Sequence, residues 1–199
     1  AESPFMKGNV LSMKRFFWAI LGLAALTGLD QWTKYLAVSH LQGQPAIPLW
    51  EGVFELQFVT NRGAAFGIFQ NQRWIFLVLT AVVMVALIGL FWKLPRTRRF
   101  LPLQVLCVVV EAGALGNMID RIRLGYVIDF LYLKLIDFPV FNVADCYVTG
   151  GVFLAAILLF FYYKEEEWNF LSRKKDGTVS PEESASIGMA SDKRTEDAQ

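Results

Sequence analysis

The chain has 199 residues, 55% hydrophobic and only 19% charged, against the roughly half-apolar, quarter-charged make-up of a soluble domain, so an ordinary water-soluble globule is excluded and lipid is implied. The net charge of +1 points to no nucleic-acid partner. Cys107 and Cys146 fall inside apolar runs and His40 is the single histidine, so neither a disulfide framework nor a metal site is expected.

A spanning helix needs about 20 predominantly apolar residues, and four stretches approach that length. Ahead of the first, Ala1 to Ser12 fit no element and are expected to be foreign to a native chain starting at Met13. Phe16 to Leu29 follows Lys14 and Arg15 and runs into Asp30. It also has the form of a secretory leader, but no clear small-x-small cleavage site follows it before Asp30, Gln31 and Lys34, so a span over about 16–33 is the better reading. Val53 to Val59 then alternates, with Phe54, Leu56 and Phe58 on one face, as a half-buried strand does. Spans follow over about 74–93 and 100–119, the latter broken only by Glu111. Tyr126 to Leu135, rich in aromatic and branched residues after Gly125, reads as extended, and the fourth span covers about 141–163. From Lys164 to Gln199 the chain is charged and Ser-rich, the composition of a disordered tail.

Lys and Arg are held back on the cytoplasmic side of short flanks. Lys14 and Arg15, then Lys93, Arg96, Arg98 and Arg99, then Arg173, Lys174 and Lys175 share one side only with four spans. The expected fold is therefore an all-α membrane protein of four transmembrane helices over residues 13–163. Both termini are cytoplasmic, a small β-element lies outside between spans one and two, and a short outer segment joins spans three and four.

Charges inside spans cost several kcal/mol on insertion scales, and here they gather at the outer ends. Asp30 and Lys34 share a face of span one. Asn117, Asp120 and Arg121 share one on span three, after Ala112, Gly113 and Gly116, small residues that admit a close helix neighbour. Asn142, Asp145 and Thr149 share one on span four. Structural readings compete: Asp30 with Lys34 as an ion pair, Asn142 with Asp145 as a helix cap, Asp120 beside Arg121 and Arg123 as a helix terminus, and Asn61, Arg62 and Gly63 as a turn after the strand. Glu111, deep in span three, requires an inward-facing partner or water.

Capping leaves Asp129 unexplained. It lies among Tyr126, Val127, Ile128, Phe130 and Leu131, where a lone carboxylate is poorly solvated and its protonated form favoured. Asp145, in the first turn of a helix, has its ionised form favoured by the helix dipole. Two carboxylates whose surroundings push their proton affinities apart are the ingredients of an acid and base pair acting on water and a carbonyl. No serine or cysteine has a histidine-based relay, no residues have zinc spacing, and no glycine loop cradles a nucleotide. A transporter would instead string its charges across the membrane depth.

Four strings in order then resemble one family. Asp30-Gln31-Trp32-Thr33-Lys34, Asn61 to Phe66, Gly113 to Arg121 (GALGNMIDR) with Val127 to Phe130, and Phe141 to Asp145 (FNVAD) resemble the conserved blocks of the lipoprotein signal peptidases, the signal peptidase II family of aspartyl membrane proteases. The resemblance covers about Met13 to Tyr163. It implies a bacterial inner-membrane endopeptidase that removes the signal peptide of a diacylglyceryl-modified prolipoprotein, cleaving before the lipidated cysteine. Asp129 and Asp145 would be its catalytic pair, with neither cofactor nor metal. Asn61, Arg62, Gly63, Asn117, Arg121 and Asn142 would line or order the site, and Asp30, Lys34 and Asp120 would support it. Membrane lipids are the further partners it implies, and the cyclic peptide globomycin the inhibitor. Arg62 departs from the family, where threonine is common, and Glu111 stands where an apolar residue is expected.

Overall fold

The structure, a computed structural model, describes residues 4–63 and 72–168, with side chains from Met13 onward. Residues 64–71, which include part of the asparagine block, and most of the expected tail lie outside the described residues. The chain divides into units Ala1–Tyr163 and Lys164–Gln199, and of the second only a 3-10 turn, Glu165–Trp168, is described.

Helix α1 runs unbroken from Pro4 to Leu41, so helical backbone begins ahead of Met13. Strands β1 (Ile47–Trp50) and β2 (Phe54–Asn61) follow, then α2 (Arg73–Lys93), α3 (Leu101–Arg123), β3 (Val127–Leu133) and α4 (Val143–Ile157), which continues as a π-helical turn to Tyr162. Three of these segments are long and apolar enough to cross a membrane: Arg73–Lys93, Arg98–Arg123 and Val143–Tyr162. Helix α1 is not among them, because Lys14 and Arg15 on one side and Asp30 and Lys34 on the other confine its uninterrupted apolar run to Phe16–Leu29. The mostly helical architecture is thus seen, and among the described residues three helices rather than four meet the length and composition a span requires.

Helix α3 is the centre of the bundle and packs against α1, α2 and α4. Small residues make this close packing feasible. A Cβ at Gly113 would strike the Ala144 carbonyl and the Val148 side chain of α4, and one at Gly116 would strike the Asp30 carboxylate of α1. Helix α2 buries no residue at all, as expected of an apolar helix whose solvent is lipid.

The β-element is a three-stranded antiparallel sheet in the order β1-β2-β3. The alternation of Val53 to Val59 and the extended reading of Tyr126 to Leu135 become the β2–β3 pair, with Val59 opposite Asp129 and Asn61 opposite Val127. Strand β1 was not expected. All four of its residues are exposed, so they carry no period-2 pattern, and their order comes from pairing with the edge of β2. Ile128 and Phe130 pack on Ala37 and Leu41, which seats the sheet on the last turns of α1. Gly125, at φ +80°, turns the chain from α3 into β3, a conformation that costs glycine little.

Glu111 is buried among Phe16, Ile20, Leu87, Phe91 and Val108 at a cavity of about 190 Å³. Its Oε2 is buried and finds no hydrogen-bond partner among the described residues. Removing a buried unsatisfied group is stabilising by about 1–3 kcal/mol. Glu111→Leu is therefore expected to raise the melting temperature of the detergent-solubilised protein; a fall would reveal a partner that Glu111 needs.

Candidate active site

Three helix ends and one strand meet at the sheet end of the bundle: the carboxyl ends of α1 and α3, the amino end of α4, and β3. Their polar side chains are buried or half-buried, so those cut off from water must find partners.

The first layer is an ion triad. Lys34, 1% exposed, reaches Asp30 Oδ2 at 3.0 Å and Asp120 Oδ2 at 2.9 Å, and both carboxylates are as deeply buried. Asp30 Oδ1 accepts the backbone N–H of Ala144 at 2.9 Å, one of the donors that the first turn of α4 leaves without a helical partner. Asp120 Oδ2 accepts the N–H of Ile128 at 3.2 Å, and Gln31 Nε2 donates to Asp120 Oδ1 at 2.9 Å. The expected pair of Asp30 and Lys34 is thus one half of a larger arrangement. Asp120 does not close its helix with Arg121 or Arg123; it turns inward to Lys34, where a buried cation lacks water and draws the nearest carboxylates.

The second layer hangs on the first. Lys34 Nζ also donates to Asn117 Oδ1 at 2.9 Å, and Asn117 Nδ2 in turn donates to Asp145 Oδ1 at 2.7 Å. Asn142 caps α4 with a complete capping box: its Oδ1 accepts the Asp145 N–H at 3.0 Å, while Asp145 Oδ2 accepts the Asn142 N–H at 3.1 Å. The Asn142 amide is then free to donate elsewhere, to Asp129 Oδ1 at 2.7 Å and Asn117 Oδ1 at 3.1 Å. Asn61 Nδ2 donates to Asp129 Oδ2 at 2.9 Å, and Asn61 Oδ1 accepts the Gly63 N–H at 3.0 Å. The two aspartates therefore face one network, bridged by Asn142 and Asn117.

Asp129 is 2% exposed. Burial, and then the charge of Asp145, push its carboxyl up to about 7, against the pull of the Asn61 and Asn142 hydrogen bonds and the Lys34 charge. A carboxyl poised near neutrality beside a second carboxylate is suited to proton transfer at physiological pH.

The remaining expected residues are placed less tightly. Arg121 lies over the Phe76 ring at 4.9 Å and reaches the Asn117 carbonyl at 3.5 Å, with its charge toward Asp145, Asp129 and Asp120. Arg62 is exposed, 5.6 Å from the Tyr126 ring centre, and bonds to neither aspartate. Sequence reasoning assigned no role to Gln31, although its place beside Asp30, on a helix end already rich in polar groups, was a signal.

Residues 22–161 match the family described as Signal peptidase (SPase) II. The chain belongs to the signal peptidase II family. Among its relatives, a lipoprotein signal peptidase of Streptococcus thermophilus is 42% identical over 138 residues, 69% of this chain and 89% of that one. One of Brevibacillus brevis is 47% identical over 139 residues, 68% of this chain and 89% of that one. A bacterial membrane enzyme solved by the in meso method at 2.3 Å resolution superposes with a TM-score of 0.62 at 30% identity, covering 81% of this chain and 94% of that one. All four strings that suggested signal peptidase II in the sequence lie inside the matched range.

Proposed function

We infer that this member of the signal peptidase II family is an aspartic endopeptidase that frees bacterial prolipoproteins of their signal peptides, working through Asp129 and Asp145. The observation that carries the assignment is the shared network. Asn142 and Asn117 link a buried carboxylate and a half-buried one whose settings differ, Asp129 among apolar residues and Asp145 in a helix's first turn. In the reading proposed here, the singly protonated pair acts as a unit. One carboxylate takes a proton from water as that water attacks the scissile carbonyl, and the other donates its proton to the carbonyl oxygen; as the C–N bond breaks, the first passes its proton to the leaving amine and the second takes one back from the hydroxyl.

The geography supports the same reading. With its charges neutralised in the triad, α1 is proposed as a fourth span, so that residues 13–163 form a four-span peptidase domain with both termini cytoplasmic. Lys14 and Arg15 of α1 and the cluster from Lys93 to Arg99 between α2 and α3 lie on the side of the bundle remote from the aspartates, which supports a site at the extracytoplasmic face. A diacylglyceryl-modified cysteine keeps its acyl chains in the bilayer, and that holds the bond before it near this interface. The sheet is proposed to cover the bond and limit water, with Asn61, Gly63, Asn117, Arg121 and Asn142 ordering the substrate and Arg62 at its rim. Globomycin is expected to occupy the same pocket.

The test is incubation of the full chain in detergent with a diacylglyceryl-modified precursor and an unmodified one, with and without globomycin. Cleavage of the modified precursor alone, blocked by globomycin, is expected; equal cleavage of both precursors overturns the substrate assignment. The pH profile tests the pair itself. The active form loses its proton as pH rises through about 7, so activity falls on the alkaline side, a limb that belongs to the coupled pair. Asn61 donates to ionised Asp129 and so favours it; Asn61→Ala is expected to move that limb to higher pH. An unmoved limb would remove Asp129 from the titration.

A further inference from the structure

At the end of the bundle remote from the aspartates, a groove of about 720 Å³ runs between α1 and α3 under the α2–α3 loop. Trp18, Gly22 and Leu26 form one wall, spaced to share a helix face, and Val105 and Val109 form the other. Trp18 and Val105 are 64% and 50% exposed, so the groove opens sideways to the surroundings of the bundle. Gly22 keeps it deep, since a Cβ there would already touch Val108 at 3.6 Å.

One end of this apolar groove is strongly basic. Arg15, Arg96 and Arg98 line it, and no acidic residue does among the described residues. Arg15 is partly engaged, donating to the Phe91 carbonyl and lying 4.4 Å from the Phe91 ring centre. Arg96 and Arg98 are exposed and have no carboxylate partner among the described residues. Arg96 is close enough to Arg15 for their charges to repel, so an anion between them relieves an unfavourable contact.

The dimensions fit a single lipid leaflet. From Arg15 to Leu26 the helix rises roughly 16 Å, about half of the ~30 Å hydrocarbon core. Basic pockets between spanning helices are built for anionic headgroups. We propose that this groove is a binding site for an anionic phospholipid, its phosphodiester between Arg15, Arg96 and Arg98 and an acyl chain along Trp18, Gly22 and Leu26. Charge complementarity selects the headgroup and the apolar walls hold the chain. A zwitterionic lipid, which offers the arginines an ammonium beside its phosphate, is held less well.

The test is native mass spectrometry of the full chain released from detergent that carries equal amounts of phosphatidylglycerol and phosphatidylcholine. Retained phosphatidylglycerol in excess over phosphatidylcholine is expected. Each arginine near an anionic group is worth about fivefold, so Arg96→Gln with Arg98→Gln is expected to cut phosphatidylglycerol retention about twentyfold or more. Lys14→Gln with Lys93→Gln removes two charges from the same end outside the groove and is expected to leave retention within about twofold. Gly22→Leu fills the groove with all arginines intact and is expected to lower retention of both lipids. Cleavage of a lipidated precursor by each variant serves as the check on folding. The proposal is overturned if the wild type shows no preference, if the lysine variant loses as much as the arginine variant, or if inorganic phosphate strips the lipid as readily as added phosphatidylglycerol does.

Discussion

Asp129→Asn and Asp145→Asn are each expected to reduce cleavage of a lipidated precursor by about 10³-fold or more, the scale of losing a positioned acid or base, with only a modest loss of stability. Asp129 accepts Asn142 at Oδ1 and Asn61 at Oδ2. An asparagine there can offer its one oxygen to only one of these donors and turns an N–H toward the other. Asp145 is in the same position, accepting Asn117 at Oδ1 and the Asn142 N–H at Oδ2. Each variant thus loses about one hydrogen bond, worth about 1 kcal/mol, while the β2–β3 pairing and the packing of α4 on α3 are untouched. Asp145→Glu keeps the charge but shifts the carboxylate, and a misplacement near 1 Å costs about 10²-fold. Melting temperature and cleavage rate measured on the same preparation separate the two effects. An asparagine variant that cleaves at the wild-type rate excludes its aspartate from the chemistry. One that fails to insert or melts far below the wild type shows a structural role.

The setting of these two aspartates was legible in the sequence because it is local. The apolar neighbours of Asp129 and the Asn142-to-Asp145 spacing sit within a few residues, and the capping box forms as that spacing implies. The small residues of α3 were legible for the same reason, since Ala112, Gly113 and Gly116 advertise a close neighbour without naming it. What chain-local reasoning could not supply was partner choice. Asp120 stands beside Arg121 in sequence yet pairs with Lys34, 86 residues away, because only the fold shows which cation is stripped of water. The capping reading used up the oxygen of Asn142 and left its amide unassigned; the bond to Asp129 is that amide's use. Strand β1 has no alternation to read, and Glu111 carried an expectation of a partner that its Oε2 does not find among the described residues. The charged residues toward both ends of its apolar run leave α1 short of the apolar length and composition of the three more apolar helices.

Lys34→Met is expected to be the most destabilising single change in the site. Its charge offsets two carboxylates that are 0% and 3% exposed, and removing one partner of a buried ionic group costs about 3–5 kcal/mol. For a chain of this size that is a fall in melting temperature of roughly 6–20 °C. Activity falls as well, because Lys34 holds Asn117, and Asn117 holds Asp145. The mechanism of the loss can be isolated by a second substitution. With Lys34 gone, Asp30 and Asp120 are left as two uncompensated charges; Asp30→Asn in the same chain removes one, while its oxygen can still accept the Ala144 N–H. The double variant is therefore expected to melt above the Lys34→Met single variant, with a coupling of about 0.5–3 kcal/mol, although it carries one more change. The recovered stability need not bring recovered cleavage, since Asn117 Oδ1 has lost Lys34 and keeps only the Asn142 amide as donor. If the double variant melts as low as the sum of the two single losses, the triad is not an electrostatic unit, and Lys34 contributes through packing alone.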